Sequence, residues 1–173
     1  LRHKRYVVDA SFSPDGNSVV TACMDGGVRV WRLESSWATR ITPAQKAVTA
    51  AIQSQDGKTV AICSGDSVLH VIDVSGAIRE THLLNHPAPV LRGAFDPTGR
   101  YLATICSDAS QHCWDLSQGK ECLKIPKSGF SADRLFTPSF DTSGRRLVCL
   151  GTAPAWPGEM CLSIWDVAAS TNQ

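Results

Sequence analysis

A four-residue turn signature that returns at nearly constant spacing constrains this chain more than any other feature. "SPDG" ends at Gly16, "SQDG" at Gly57, "DPTG" at Gly99 and "DTSG" at Gly144, at separations of 41, 42 and 45 residues. Fifteen residues after the first three glycines stand Trp31, Ile72 and Trp114, whereas Trp165 follows the fourth by 21, so that repeat carries an insertion. A fixed period of this length means an array of one supersecondary unit, and it decides the architecture before any local reading.

Between the markers run short apolar strands and tight turns without helical periodicity. The third repeat divides into "VLRGAFD", "RYLATIC", "QHCWDL" and "KECLKI", and the first into "VVDASFS", "SVVTACM", "VRVWRL" and "WATRIT". Four antiparallel strands in about 40–45 residues is the pattern of one β-propeller blade. The expected fold is therefore all-β: a propeller segment of about four blades of four-stranded antiparallel sheet. It forms a single partial propeller over 1–173, with repeats near 1–42, 43–84, 85–126 and 127–173. Apolar residues at 43% suit a packed core, and a net charge of +1 gives no global pull toward nucleic acid or membrane.

A shift of 83 residues lays the first repeat on the third: His3 on His86, Thr21 on Thr104, Asp25 on Asp108, and Trp31 on Trp114. This pattern resembles the WD40-repeat family. The resemblance implies that each quartet is a structural relay inside a blade. In it the Trp N–H meets the Thr hydroxyl, the hydroxyl meets the His, and the His meets the Asp. A buried indole needs an acceptor and a buried carboxylate needs donors. The rival reading makes Thr104 a nucleophile, His86 its base and Asp108 the orienting acid. The duplicated quartet argues against it, because one active site needs one set. No catalytic residue and no cofactor is expected.

The other repeats depart from the pattern. At the matching places the second has Pro43, Ile62, Asp66 and Ile72, so donor and acceptor vanish together and an apolar pair remains. The fourth keeps Trp165 with Ser131 at the His place, and its "GTAPAWPGEM" insertion reads as a loop carrying Trp156.

Within the WD40 family, "VLHVIDVSGAIRETHLLNHPAPVLRGAFDPTGRYLATICSD" and "CWDLSQGKECLKI" look like the N-terminal propeller of the replisome adaptors of the chromosome transmission fidelity (acidic nucleoplasmic DNA-binding) family. The Trp-less second repeat and the long link "PKSGFSADRLFTPSFDTSGRRL" fit as well. That resemblance implies a nuclear, non-catalytic scaffold joining other proteins. A WD40 scaffold of another complex, in ubiquitin ligation, trafficking or RNA processing, is the alternative. Four repeats are fewer than the about seven blades of a closed WD40 ring, so further blades or a partner are expected over the open edges.

Partners are expected on the rim formed by loops entering the inner strands, with Tyr6, Met24, Lys46, Leu91, Arg134, Phe136 and Trp156 as candidates. Val8 and Val48 are expected to pack between blades. The run "RHKR" with Lys46, Arg92 and Arg134 raises DNA as a further partner, although the near-zero net charge speaks against it. Seven cysteines without a CxxC pair read as small buried hydrophobes of a reduced, intracellular protein. Zinc at Cys106, His112 and Cys113 is disfavoured, because adjacent strand residues point to opposite faces. No apolar run is long enough to span a bilayer.

Overall fold

In a computed structural model, the structure describes residues 2–13, 15–34, 38–41, 47–125, 137–152 and 160–167. The four marker glycines adopt left-handed backbone, with φ of 71° at Gly16, 70° at Gly57, 73° at Gly99 and 72° at Gly144. A Cβ in that region costs about 1–2 kcal/mol, so the repeating glycine is a backbone requirement. Each glycine N–H donates to the carbonyl three residues back: Ser13, Ser54, Asp96 and Asp141. A second bond closes each turn between a hydroxyl and a carboxylate. Ser13 donates to Asp15 (2.5 Å) and Ser54 to Asp56 (2.7 Å), whereas Thr98 donates to Asp96 (2.5 Å) and Ser143 to Asp141 (2.9 Å). Donor and acceptor have exchanged places between the two halves of the chain, and the turn is the same.

The strands follow in order as β1 (Val7–Phe12), β2 (Ser18–Cys23), β3 (Val28–Arg32) and β4 (Ala38–Ile41), then β5 (Val48–Gln53), β6 (Thr59–Ser64), β7 (Val68–Asp73) and β8 (Arg79–Asn85). A third set comprises β9 (Val90–Phe95), β10 (Tyr101–Cys106), β11 (Gln111–Asp115) and β12 (Lys120–Ile125). Each set is one antiparallel sheet in sequential order. The last sheet holds β13 (Ser139–Phe140), β14 (Arg146–Thr152) and β15 (Met160–Asp166), three strands among the described residues where a full blade has four. The all-β propeller segment read from the period is thus the architecture found.

Successive side chains point to opposite faces, so the second and third sheets pack apolar side chains on both sides, as stacking demands. Val20, Ala22, Val28 and Val30 of the first sheet pack with Val60, Ile62, Ile72 and Val74 of the second. The opposite face of the second, with Ala61, Cys63, Leu69 and Val71, packs with Val90, Leu102 and Cys106. Ala103, Cys113 and Leu123 meet Leu147, Cys149 and Val167 in the same way. Fully burying a Leu, Ile or Val side chain stabilises by about 1.5–3 kcal/mol, so these three layers carry the fold. Neighbouring inner strands are also tied by hydrogen bonds. The Ala51 N–H donates to the Asp9 carboxylate (3.1 Å), and the Thr49 hydroxyl donates to the Val90 carbonyl (3.1 Å).

Close approach of these strands explains one residue. A Cβ at Gly93 would lie 2.6 Å from the Ala103 carbonyl oxygen and 3.0 Å from Ile52 Cδ1. Gly93→Ala is therefore expected to destabilise the protein by roughly 1–3 kcal/mol through overpacking, read as a lower urea midpoint at unchanged slope.

Candidate interaction site

In the third sheet, His86 stands at the centre of the quartet. Its Nδ1 faces the Leu84 carbonyl at 2.9 Å, and since that oxygen only accepts, Nδ1 carries the proton. Nε2 is then the acceptor, and it receives both the Thr104 hydroxyl (3.0 Å) and the Trp114 indole N–H (3.1 Å). The relay order expected from the family pattern is corrected here: the indole reaches the histidine, not the threonine. Burial, together with the neighbouring His112, lowers the His86 pKa to about 4, against the pull of the Leu84 bond. Thr104 is 1% exposed. A neutral ring whose lone pair is shared, beside a sealed hydroxyl, gives Thr104 no route to a substrate.

Asp108 accepts from the backbone N–H (3.1 Å) and hydroxyl (2.6 Å) of Ser110. Ser110 in turn lies 3.2 Å from His112 Nε2, and His112 Nδ1 lies 2.7 Å from Glu121. The two imidazoles meet edge to face at 5.2 Å. Asp108 therefore closes its turn and joins a second line of polar groups through Ser110 and His112, which the expected relay did not contain.

The first sheet uses the same four residue types with different wiring. Trp31 donates to the Thr21 hydroxyl at 2.9 Å, the bond expected. Asp25 accepts from Arg29 at 2.6 Å, and Arg29 also donates to His3 Nδ1 at 3.3 Å. The expected direct His–Asp contact is thus replaced by an arginine bridge. That guanidinium holds the Asp25 carboxyl well below the ordinary carboxylate range. Arg29, His70 and His112 occupy one offset, two residues before Trp31, Ile72 and Trp114. That shared offset was the available signal for a fifth position in the network.

In the second sheet Ile62 and Ile72 are both buried, and Asp66 accepts from the Ser64 hydroxyl and the Val68 N–H. His70 Nδ1 lies 2.5 Å from Glu80, repeating the His112–Glu121 pair one blade earlier. In the fourth sheet the place of Thr21 and Thr104 falls on Cys149, and the buried Trp165 N–H has no acceptor among the described residues. Ser131 lies outside the described residues.

On the rim one backbone bond recurs. Met24 N–H donates to the Tyr6 carbonyl (2.9 Å), Gly65 to Ala47 (3.2 Å), and Ser107 to Pro89 (2.8 Å). The rim residue of the second repeat is therefore Ala47, one place on from the Lys46 expected from counting. Tyr6 is 82% exposed and Met24 52%, whereas Leu91 is half-buried. Val48 is buried as expected, but Val8 is exposed because β1 has no neighbouring sheet on that side among the described residues. Lys46, Arg134, Phe136 and Trp156 lie outside the described residues.

The described cysteines form no disulfide, and Cys23, Cys63, Cys106, Cys113 and Cys149 are buried. Burial pushes the Cys149 thiol up to about 12 and raises Cys63 further. Among the described residues, no three His, Cys, Asp or Glu side chains converge on a point where a metal could bind.

Residues 1–32 match the family model described as WD domain, G-beta repeat. The chain is 28% identical over 155 residues to the WD repeat and HMG-box DNA-binding protein 1 of Xenopus laevis, covering 66% of this chain and 14% of that protein. The Homo sapiens protein of the same name is 24% identical over 164 residues, covering 72% and 14%. The Nuclear distribution protein PAC1 of Arthroderma otae is 24% identical over 177 residues, covering 88% of this chain and 35% of the fungal protein. The chain thus spans between about a seventh and about a third of the length of these curated relatives.

Proposed function

We propose that this WD40-repeat protein is a non-catalytic interaction scaffold that works in the nucleus in DNA replication or chromosome maintenance. One observation carries the scaffold reading: Thr21, Thr104 and His86, the groups a hydrolytic reading would need, are buried, with Thr104 at 1% exposure, while an aromatic residue and a methionine project from the rim. Buried polar networks of this kind fix one arrangement of loop and sheet and leave the rim loops to recognise partners. The nuclear part rests on the stretches resembling replisome adaptors and on similarity to proteins whose name includes DNA-binding.

The longer match to a nuclear distribution protein, over 88% of the chain, supports a second reading: a WD40 scaffold of a different complex. Proximity labelling from the full chain in S-phase cells separates the two. The replication reading expects labelled replication-fork proteins that are lost when DNA synthesis is blocked at origin firing. Labelling of a stable complex elsewhere, indifferent to that block, would overturn it in favour of the second.

A further inference from the structure

The segment entering β1 packs against the turn after β2 to form a recess of about 660 Å³ lined by His3, Lys4, Arg5, Tyr6 and Met24. Its walls are fixed at several points. Met24 N–H donates to the Tyr6 carbonyl (2.9 Å), and the Cys23 thiol donates to the Arg5 carbonyl (3.3 Å). The His3 ring lies edge-on to Trp31 at 5.3 Å and accepts from Arg29. The backbone of the recess is therefore held before anything binds, and its exposed side chains are what a ligand would have to order.

Two kinds of chemistry meet in this recess. Tyr6 and Met24 offer large, exposed contact area, the first of a type that anchors interfaces and the second able to adapt its shape. Around them, Arg2, Lys4 and Arg5 are exposed, and among the described residues no carboxylate pairs with any of the three. The nearest acid in the turn, Asp25, is already held by Arg29. The patch is therefore cationic on its own account, on a chain whose net charge is only +1.

We propose that this recess binds an acidic peptide segment of a partner protein, seating one bulky apolar side chain between Tyr6 and Met24 while flanking Asp or Glu residues meet Arg2, Lys4 and Arg5. The inference rests on the scaffold reading and supplies its partner chemistry. A nucleic acid would use the cations but leave the methionine without a role, and the small net charge gives it no extended field to follow.

The test is fluorescence anisotropy on the full chain with a labelled peptide carrying a central Leu-Phe flanked by three Asp or Glu on each side. Saturable binding is expected, weakened about tenfold or more by Tyr6→Ala with Met24→Ala, and likewise by Lys4→Glu with Arg5→Glu. These side chains are exposed, so unchanged thermal midpoints should show that folding is intact. A labelled single-stranded oligonucleotide is the second arm. The proposal is overturned if the peptide does not bind or if the aromatic and methionine substitutions leave its binding unchanged. An oligonucleotide that binds tighter than the peptide and loses affinity only through the charge reversals would overturn it in favour of nucleic acid. Failure here with replication proteins still labelled in cells would remove the recess and keep the scaffold. Peptide binding without such labelling would keep the recess and remove the replication role.

Discussion

Replacing His86 by leucine is expected to cost roughly 3–5 kcal/mol of stability, because it strands the buried Thr104 hydroxyl and the part-buried Trp114 N–H at once. The Thr104 hydroxyl and the Trp114 N–H both end on His86 Nε2, and among the described residues neither side chain has another hydrogen bond. The Leu84 carbonyl also loses its donor. Thr104→Val makes an instructive contrast. It removes donor and acceptor together and leaves Trp114 still bonded to the ring, so about 1 kcal/mol is expected. Urea denaturation followed by tryptophan fluorescence and circular dichroism reads both values. A His86→Leu cost no larger than that of Thr104→Val would show that the ring is not the hub of the cluster.

Stability should also fall steeply on mild acidification, by up to about 3 kcal/mol from this one ring, since each pKa unit of difference is worth about 1.36 kcal/mol. The unfolded chain takes up a proton at an ordinary histidine pKa of 6.5, whereas folded His86 resists until about 4. Between those values the unfolded state holds more protons, so folding stability is complete above the upper one and declines as pH drops toward the lower. The groups facing the ring are the Leu84 carbonyl, Thr104, Trp114 and His112. Asp115, held down to about 2 mainly by Arg100, contributes its loss only below the ordinary carboxylate value of 3.8. Two limbs should therefore appear in a plot of unfolding free energy against pH, and His86→Leu should flatten the upper one alone. An upper limb that survives that substitution would assign it to another group.

The parts of this fold that could be read in the chain are those set by local backbone need. Glycine at φ near +70° and a hydroxyl–carboxylate pair around it recur because four turns have one geometry, so Gly16, Gly57, Gly99 and Gly144 announced four units. Strand positions followed from short apolar runs between turn signals, runs left unbroken where a sheet packs on both faces, as the second and third do. The residues of the polar clusters were legible too, but their partners were not. Which nitrogen of His86 meets which neighbour depends on ring orientation. Whether Asp25 reaches a histidine or an arginine depends on the residue at position 29, where Arg29 stands between Asp25 and His3. Ser67 and Ala109 take φ of 65° and 63° after Asp66 and Asp108, where the first repeat has Gly26 at 77° after Asp25. The rim slipped by one residue in the second repeat because counting started from Pro43. The bulge between Val48 and Ala50 resets that strand just as those between Val7 and Asp9 and near Val90 reset theirs.

The tautomer and titration of His86, read from long-range ¹H–¹⁵N spectra, test most directly whether the polar quartet is sealed scaffolding. A ring protonated at Nδ1, with Nε2 shifted as a hydrogen-bond acceptor and no protonation until pH nears about 4, is the outcome this account requires. A ring protonated at Nε2 and titrating near 6.5, as a solvent-reached histidine does, would contradict it and reopen Thr104 to chemistry.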